Sequence, residues 1–95
     1  MAGFRDEPEA RRFIEEFEAA DGAEHAVWAD YAAQGKRRAI LHVEAEDALR
    51  GSGAAGRFMQ HLADHARAEG LSLTPICGYA VAWFRRHPDQ GDLLA

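Results

Sequence analysis

The chain has 95 residues, 47% of them hydrophobic and 28% charged, with a formal charge of −5; that is enough for one domain with its own core, and too apolar for a disordered segment. The acidic balance argues against nucleic acid as the main partner, because phosphate binding leaves a basic footprint. No apolar run reaches the length of a membrane span or a signal-peptide core, so a cytoplasmic protein with no membrane partner is expected, and the single Cys77, which has no mate for an internal disulfide, agrees with that.

Residues 1–11 are polar and read as a candidate flexible end or a short helical turn. Over residues 12–17 a two-residue period places Phe13 and Phe17 on one face, which suits a strand, while a helix over residues 7–20 competes. After the turn chemistry of Asp21-Gly22, residues 25–31 are aromatic and β-prone and read as a second strand. Gln34-Gly35-Lys36 suits a hairpin, so residues 38–45 pair antiparallel with that strand. In this third strand, strict alternation sends Ala39, Leu41 and Val43 to one face and Ile40, His42 and Glu44 to the other. Ala55, Phe58, Met59, Leu62 and Ala66 then follow helical spacing, and Gly70 stands where a helix ends in a left-handed residue. Residues 71–76 read as a short strand and Tyr79 to Arg86 as a second helix, stopped by His87-Pro88. A strand, a helix and a strand form a right-handed βαβ unit, so residues 71–76 lie parallel to residues 38–45. The expected fold is α+β in a single domain over residues 1–95: antiparallel strands, then a βαβ unit, then a C-terminal helix.

The chemistry concentrates between the third strand and the first helix, in Arg50-Gly51-Ser52-Gly53-Ala54-Ala55. A helix start presents backbone N–H groups without partners and a partial positive charge, and glycines let a phosphate approach the backbone with no Cβ in the way. Arg50 offers a charge-assisted hydrogen bond to the same oxygens. A Gly-x-Gly ahead of a helix also occurs in ordinary tight turns. The Gly-Lys-Ser/Thr ending of a nucleotide-binding P-loop is absent, and so is the acidic residue some twenty positions on that a dinucleotide fold requires.

The same six residues resemble the R/Q-x-x-G-x-G/A signature of the GNAT N-acetyltransferase superfamily. His42 and Glu44 ahead of Leu49-Arg50-Gly51, and Pro75-Ile76-Cys77-Gly78-Tyr79 ahead of Arg86-His87-Pro88, resemble its small YjdJ-type branch, a minimal GNAT, from Phe13 to Leu94. The resemblance implies a reduced GNAT-like fold in which acetyl-CoA lies between two splayed parallel strands, here residues 38–45 and 71–76, with its pyrophosphate on the loop Arg50 to Ala55. It also implies an acetyltransferase acting on a primary amine, with the thioester oxyanion held by a backbone N–H of the third strand, at Val43. The sequence departs from the branch at Ala45-Glu46, Ala54 and Gln90. A non-catalytic acyl-CoA-binding or protein-interaction module with this fold is the alternative, and a phosphate-binding regulator a third; the acceptor amine and the oligomeric state are not encoded legibly.

Three side chains are catalytic candidates. Cys77, just ahead of the second helix, is placed to be a thiolate nucleophile or a small packed residue where the strands part. His42 is the candidate base, with a hydrogen-bonded histidine beside Glu44 as the bland reading. Tyr79 is a candidate acid for the departing CoA thiolate, and with Trp83 is equally a core or cofactor-flanking residue. Pro75 cannot donate to a sheet ladder, which suits a strand that leaves its neighbour and also an ordinary edge. His61 and His65 have the spacing of a helical metal pair, but no third ligand accompanies them, so solvated histidines and no metal are expected. Arg85-Arg86-His87 suits either a helix C-terminus or contact with the adenosine phosphate.

Overall fold

Burial alternates with period two along Arg12–Glu18, Phe13, Glu15 and Phe17 being enclosed and their neighbours open, so these residues form a strand and not the competing helix. In the computed structural model, which describes residues 3–95, this is β2 of a five-stranded sheet in the order β1-β2-β3-β4-β5. The strands are β1 (Arg5–Glu7), β2 (Arg12–Glu18), β3 (Glu24–Gln34), β4 (Arg37–Ala45) and β5 (Ser72–Pro75), with helices α1 (Ala54–Glu69) between β4 and β5 and α2 (Gly78–Arg86) after β5. The first four strands pair antiparallel, and β5 pairs parallel with β4 from Arg37 opposite Ser72 to Ile40 opposite Pro75.

Of the two readings of residues 1–11, a flexible end or a short helical turn, the second has its counterpart in a single 3-10 turn at Pro8–Ala10, which follows a short strand. Arg5–Glu7 adds an edge strand to β2, tied by the Arg5 guanidinium to Glu16 at 2.6 and 3.0 Å, and Phe4 stacks on Phe13; Met1 and Ala2 lie outside the described residues. The apolar stacking and the bidentate pair explain the order here, because together they fix a short strand that has few ladder bonds of its own.

Phe13, Val27, Ala29, Tyr31 and Ile40 line the inner face of the sheet and meet Phe58, Met59, Leu62, Ala63 and Ala66 of α1 and Ala80, Trp83 and Phe84 of α2 in one apolar cluster. Each large side chain of that set contributes about 1.5–3 kcal/mol by burial, which outweighs the modest helix propensity of a segment containing Gly56. Gly70, in the left-handed conformation, closes α1 as its position in the sequence foretells, with N–H groups turned back to Ala66 and Arg67.

Two expectations fail. Strict alternation in β4 is broken between Ile40, opposite Tyr31, and His42, opposite Asp30. Leu41 is the extra residue of a β-bulge, so Ile40 and Val43 share the inner face while His42 and Glu44 turn outward with Asp30 and Trp28. The α1 histidines are also not free in solvent. His61 Nδ1 meets both oxygens of the buried Glu15 at 2.8 and 2.9 Å, and the His65 ring packs against Phe4 and Phe13; a carboxylate on the inner face of β2 needs such a partner, and α1 supplies it.

Candidate active site

The loop between β4 and α1 is built around its two left-handed glycines, Gly51 at φ 76° and Gly53 at φ 81°, a conformation that costs an L-residue with a Cβ. Between them, Ser52 is bound twice to Leu49: its N–H donates to the Leu49 carbonyl at 3.1 Å and its hydroxyl to the same oxygen at 2.6 Å. The Ser52 Oγ also accepts from the Ala54 N–H at 3.2 Å. This corrects the expectation that the whole front of the helix is bare, because the Ser52 hydroxyl, one residue ahead of the N-cap Gly53, takes up the Ala54 amide in a local serine turn. The amides of Gly53, Ala55 and Gly56 have no acceptor among the described residues, and they make up the open donor set at the start of α1.

Arg50 does not turn into this cradle. Its guanidinium pairs with Asp47 at 3.2 Å, both side chains being almost fully exposed, and a pair so exposed adds little to stability. The cation beside the cradle is Arg57 of α1: its Nη1 donates to the Ser52 carbonyl at 3.2 Å, and its guanidinium lies over the Phe17 ring. A Cβ built on Gly53 would stand 3.5 Å from that Nη1. The available signal was position, since Arg57 follows Gly53 by one helical turn and therefore reaches back over it.

Beyond Ile40 the parallel ladder ends, because β5 stops at Pro75 and the chain enters α2 at Gly78. The Ile40 carbonyl accepts from both Ile76 and Cys77, at 3.0 and 3.1 Å, and this forked bond is the last between β4 and the end of β5. The bulge at Leu41 interrupts the β3–β4 register at the same level, and Pro75 has no N–H to donate from β5 where the ladder stops. Leu41 and Ile76, each the next residue after the last β4–β5 pair, are 48% and 58% exposed, and Tyr79 in the first turn of α2 is exposed as well.

Cys77 caps the start of α2 just past the end of that ladder and packs against the core. Burial pushes its thiol up, but the backbone N–H groups of Ala80, Val43 and Tyr79 outweigh burial, and the thiol titrates below its ordinary value. The Val43 amide is thus directed at the Cys77 sulfur. The Tyr79 phenol is held above its ordinary value by burial, against the opposing charge of Arg86, and so stays protonated at neutral pH. His42 is not part of this group. Its ring sits on the outer face, half exposed, with Nε2 at 2.8 Å from Glu44 Oε1, so the structure brings the backbone amides of Val43, Tyr79 and Ala80 to the Cys77 thiol and leaves His42 on the other face of β4. On α2, Trp83 is buried and stacks on His87, whose Nδ1 meets the Trp83 carbonyl at 2.7 Å.

Residues 16–93 match the family model described as GCN5-related N-acetyltransferase. The fold is similar to the solution structure of a GCN5-like protein from Staphylococcus aureus, itself a candidate N-acetyltransferase, with a TM-score of 0.66 at 17% identity over 97% of this chain and 86% of that one. No curated protein matches the sequence.

Proposed function

The chain belongs to the GCN5-related N-acetyltransferase family, and from that premise we propose that it transfers the acetyl group of acetyl-CoA to a primary amine. The observation that carries this reading is the coincidence of two features around β4: its ladder with β5 ends at Ile40, and the chain that follows it leads, through a 3-10 turn at Asp47–Leu49, to the start of α1, where the Gly53, Ala55 and Gly56 amides stand open. A thioester and a pyrophosphate need those two environments, an anion-binding helix start and a gap with a backbone donor.

In this reading the amides of Gly53, Ala55 and Gly56 hold the pyrophosphate, with Gly51 and Ser52 shaping the turn and Arg57 supplying positive charge. Arg50 contributes if it exchanges Asp47 for phosphate, an exchange that costs little because the Arg50–Asp47 pair is exposed. Val43 N–H faces the thioester oxygen and stabilises the oxyanion as the amine attacks. The C–N bond forms as the C–S bond breaks; Tyr79 gives its phenolic proton to the departing thiolate, and the proton released by the amine nitrogen passes through solvent to restore the phenol. Cys77 fills the floor of the gap; direct attack by the amine requires no acyl-cysteine. The finer assignment to the YjdJ-type branch rests on the motifs around His42 and Cys77.

One observation favours the non-catalytic acyl-CoA-binding alternative: His42, the candidate base, is bonded to Glu44 on the other side of β4 from Cys77. Two measurements separate the readings. Acetyl-CoA and CoA are expected to raise the melting temperature, and free thiol is expected to appear from acetyl-CoA when an acceptor amine is present. A melting curve unmoved by millimolar cofactor overturns both readings; binding without thiol release across an amine panel overturns the enzyme alone.

A further inference from the structure

Resting on the acetyl-CoA reading, we propose that His25 is a positioning residue for the phosphate cradle: as an imidazolium it ties the β2–β3 turn to Glu46, and through Glu46 it sets the path of the loop that presents the Gly53, Ala55 and Gly56 amides. His25 stands near the start of β3, opposite Phe17 of β2, with 21% of its side chain exposed. Both of its ring nitrogens face carboxylates. Nε2 lies 2.9 Å from Asp21 Oδ2, and Nδ1 lies 3.5 Å from Glu46 Oε1. Each carboxylate is itself anchored, because Asp21 Oδ1 accepts the Ala23 N–H at 2.9 Å and Glu46 Oε2 accepts the Ala26 N–H.

That arrangement fits one protonation state. A neutral imidazole carries a single N–H, so it donates to one of the two carboxylates and sets a lone pair against the other. The imidazolium donates to both. When the ring is neutral, the shorter bond keeps the remaining proton on Nε2 with Asp21, and the contact that lapses is the one to Glu46. Besides Asp21 and Glu46, whose bonds and charges favour the imidazolium, the charged groups beside it in the register are Glu24 on β3 and Glu18 opposite Glu24 on β2. From α1 comes Arg57, whose guanidinium lies over Phe17.

A run of local hydrogen bonds connects Glu46 to the cradle. The Glu46 N–H donates to the Ala26 carbonyl at 3.0 Å, which carries the β3–β4 pairing one residue past Ala45. The Glu46 carbonyl accepts from Leu49 at 2.9 Å, the Leu49 carbonyl takes both the N–H and the hydroxyl of Ser52, and the Ser52 Oγ takes the Ala54 N–H. Buried Leu49 fixes the middle of this run in the core. Glu46 is its first link, and Glu46 is the residue whose side chain His25 grips. Losing that grip loosens the 3-10 turn at Asp47–Leu49, and the open amides lose the fixed convergence on which anion binding at a helix start depends.

The test measures acetyl-CoA affinity by calorimetry from about pH 5.5 to about pH 8.5, a range that spans histidine titration, for the parent, His25→Gln and Glu46→Gln. Titration of the cofactor's own phosphates is common to all three and cancels in the ratios. Relative to His25→Gln, the parent should bind about fivefold more weakly at the upper end than at the lower, a modest coupling between linked groups. The direction follows from the raised His25 midpoint: the clamp is complete below it and is lost as pH rises through it. Glu46→Gln should lack the decline, because its carboxamide N–H donates to the lone pair of the neutral ring while its oxygen keeps the Ala26 N–H. A Glu46→Gln profile that declines like the parent's, which is what His25 acting on phosphate by charge alone would give, overturns the proposal, and so does a His25→Gln profile parallel to the parent's. A second readout needs no cofactor. In the free protein the amide chemical shifts of Gly53, Ala55 and Gly56 should follow the midpoint of the His25 ring and cease to do so in His25→Gln; amides that ignore that midpoint overturn the proposal. If they follow it and acetyl-CoA binds at no pH, the cofactor reading fails while the coupling of His25 to the cradle stands.

Discussion

Replacing Gly53 by valine separates the phosphate cradle from an ordinary turn, because the backbone strain it causes has a matched control elsewhere in the chain. Gly53 and Gly22 both sit at φ 81°. A Cβ at Gly22 meets nothing within 4 Å, and one at Gly53 meets only Arg57 Nη1, at 3.5 Å, an ordinary contact. Each Gly→Val change should therefore cost a similar amount, about 1–2 kcal/mol for a left-handed L-residue, or roughly 4–16 °C in melting temperature for a domain of this size. Ligand response is where they diverge. Acetyl-CoA at a hundred times its dissociation constant stabilises the native state by about 2.7 kcal/mol, which corresponds to roughly 11–22 °C. Gly22→Val should keep that increment and Gly53→Val should lose it, since the valine side chain occupies the space above the Gly53, Ala55 and Gly56 amides. Differential scanning fluorimetry with and without acetyl-CoA reads both quantities in one experiment. A Gly53→Val protein with a lowered melting temperature and an undiminished acetyl-CoA increment would refute the cradle.

Cys77→Ala should retain thiol release within about tenfold of the parent, because direct attack by an amine needs no covalent step; loss of turnover with acetyl-CoA binding intact would show an acetyl-cysteine intermediate. In the parent, alkylation of Cys77 by iodoacetamide should rise with pH at a midpoint below that of a free cysteine peptide, since its thiol titrates low. Tyr79→Phe should lower kcat with KM little changed, the phenol acting only on the departing thiolate. His61→Ala, which strips the buried Glu15 of its partner, should cost about 1–3 kcal/mol in urea unfolding; Glu15→Gln/His61→Ala should recover part of this, and equal losses in the single and double variants would exclude the pairing. His25 is raised from its ordinary 6.5, chiefly by its hydrogen bond to Asp21, so its contribution to stability is fully present below about 6.5 and fades as pH rises through the raised value. The pH–stability curve of His25→Gln should lack that decline, and a curve parallel to the parent's would count against the assignment.

Regular elements were legible because period and punctuation agree along most of the chain. The inward Phe13 and Phe17, the Phe58-Met59-Leu62-Ala66 stripe, the hairpin at Gly35 and the left-handed Gly70 each signal locally what the fold then uses. The Gly51-Ser52-Gly53 turn was legible for the same reason. The roles of individual side chains around it were not, because they depend on partners chosen in three dimensions. Arg50 finds Asp47, Ser52 finds the Ala54 amide, and Arg57 leans back over the loop from α1. Likewise His61 reads as a surface histidine on its helix, and only the packing of α1 against β2 shows that it meets Glu15, forty-six residues away.

The deepest miss, strict alternation through Leu41, is also the most informative, since a bulge leaves no reliable mark in a pattern of period two. One extra residue between Ile40 and His42 has two consequences that are not separable. It returns Val43 to the core side of the strand, it turns His42 and Glu44 onto the open face, and it falls at the level where the β4–β5 ladder stops at Pro75. The end of the ladder beside Cys77 and the Val43 amide is thus a property of the backbone, set by register and not by any catalytic side chain. It follows that deleting Leu41, which restores alternation, should return His42 and Glu44 to the inner face and Val43 to the outer. Two polar groups would then enter a core that has no partners for them, at roughly 1–3 kcal/mol each, so the deletion should unfold the protein or shift the hairpin register. A Leu41 deletion variant that folds with the parent's melting temperature and still binds acetyl-CoA would show that the bulge does not make the site.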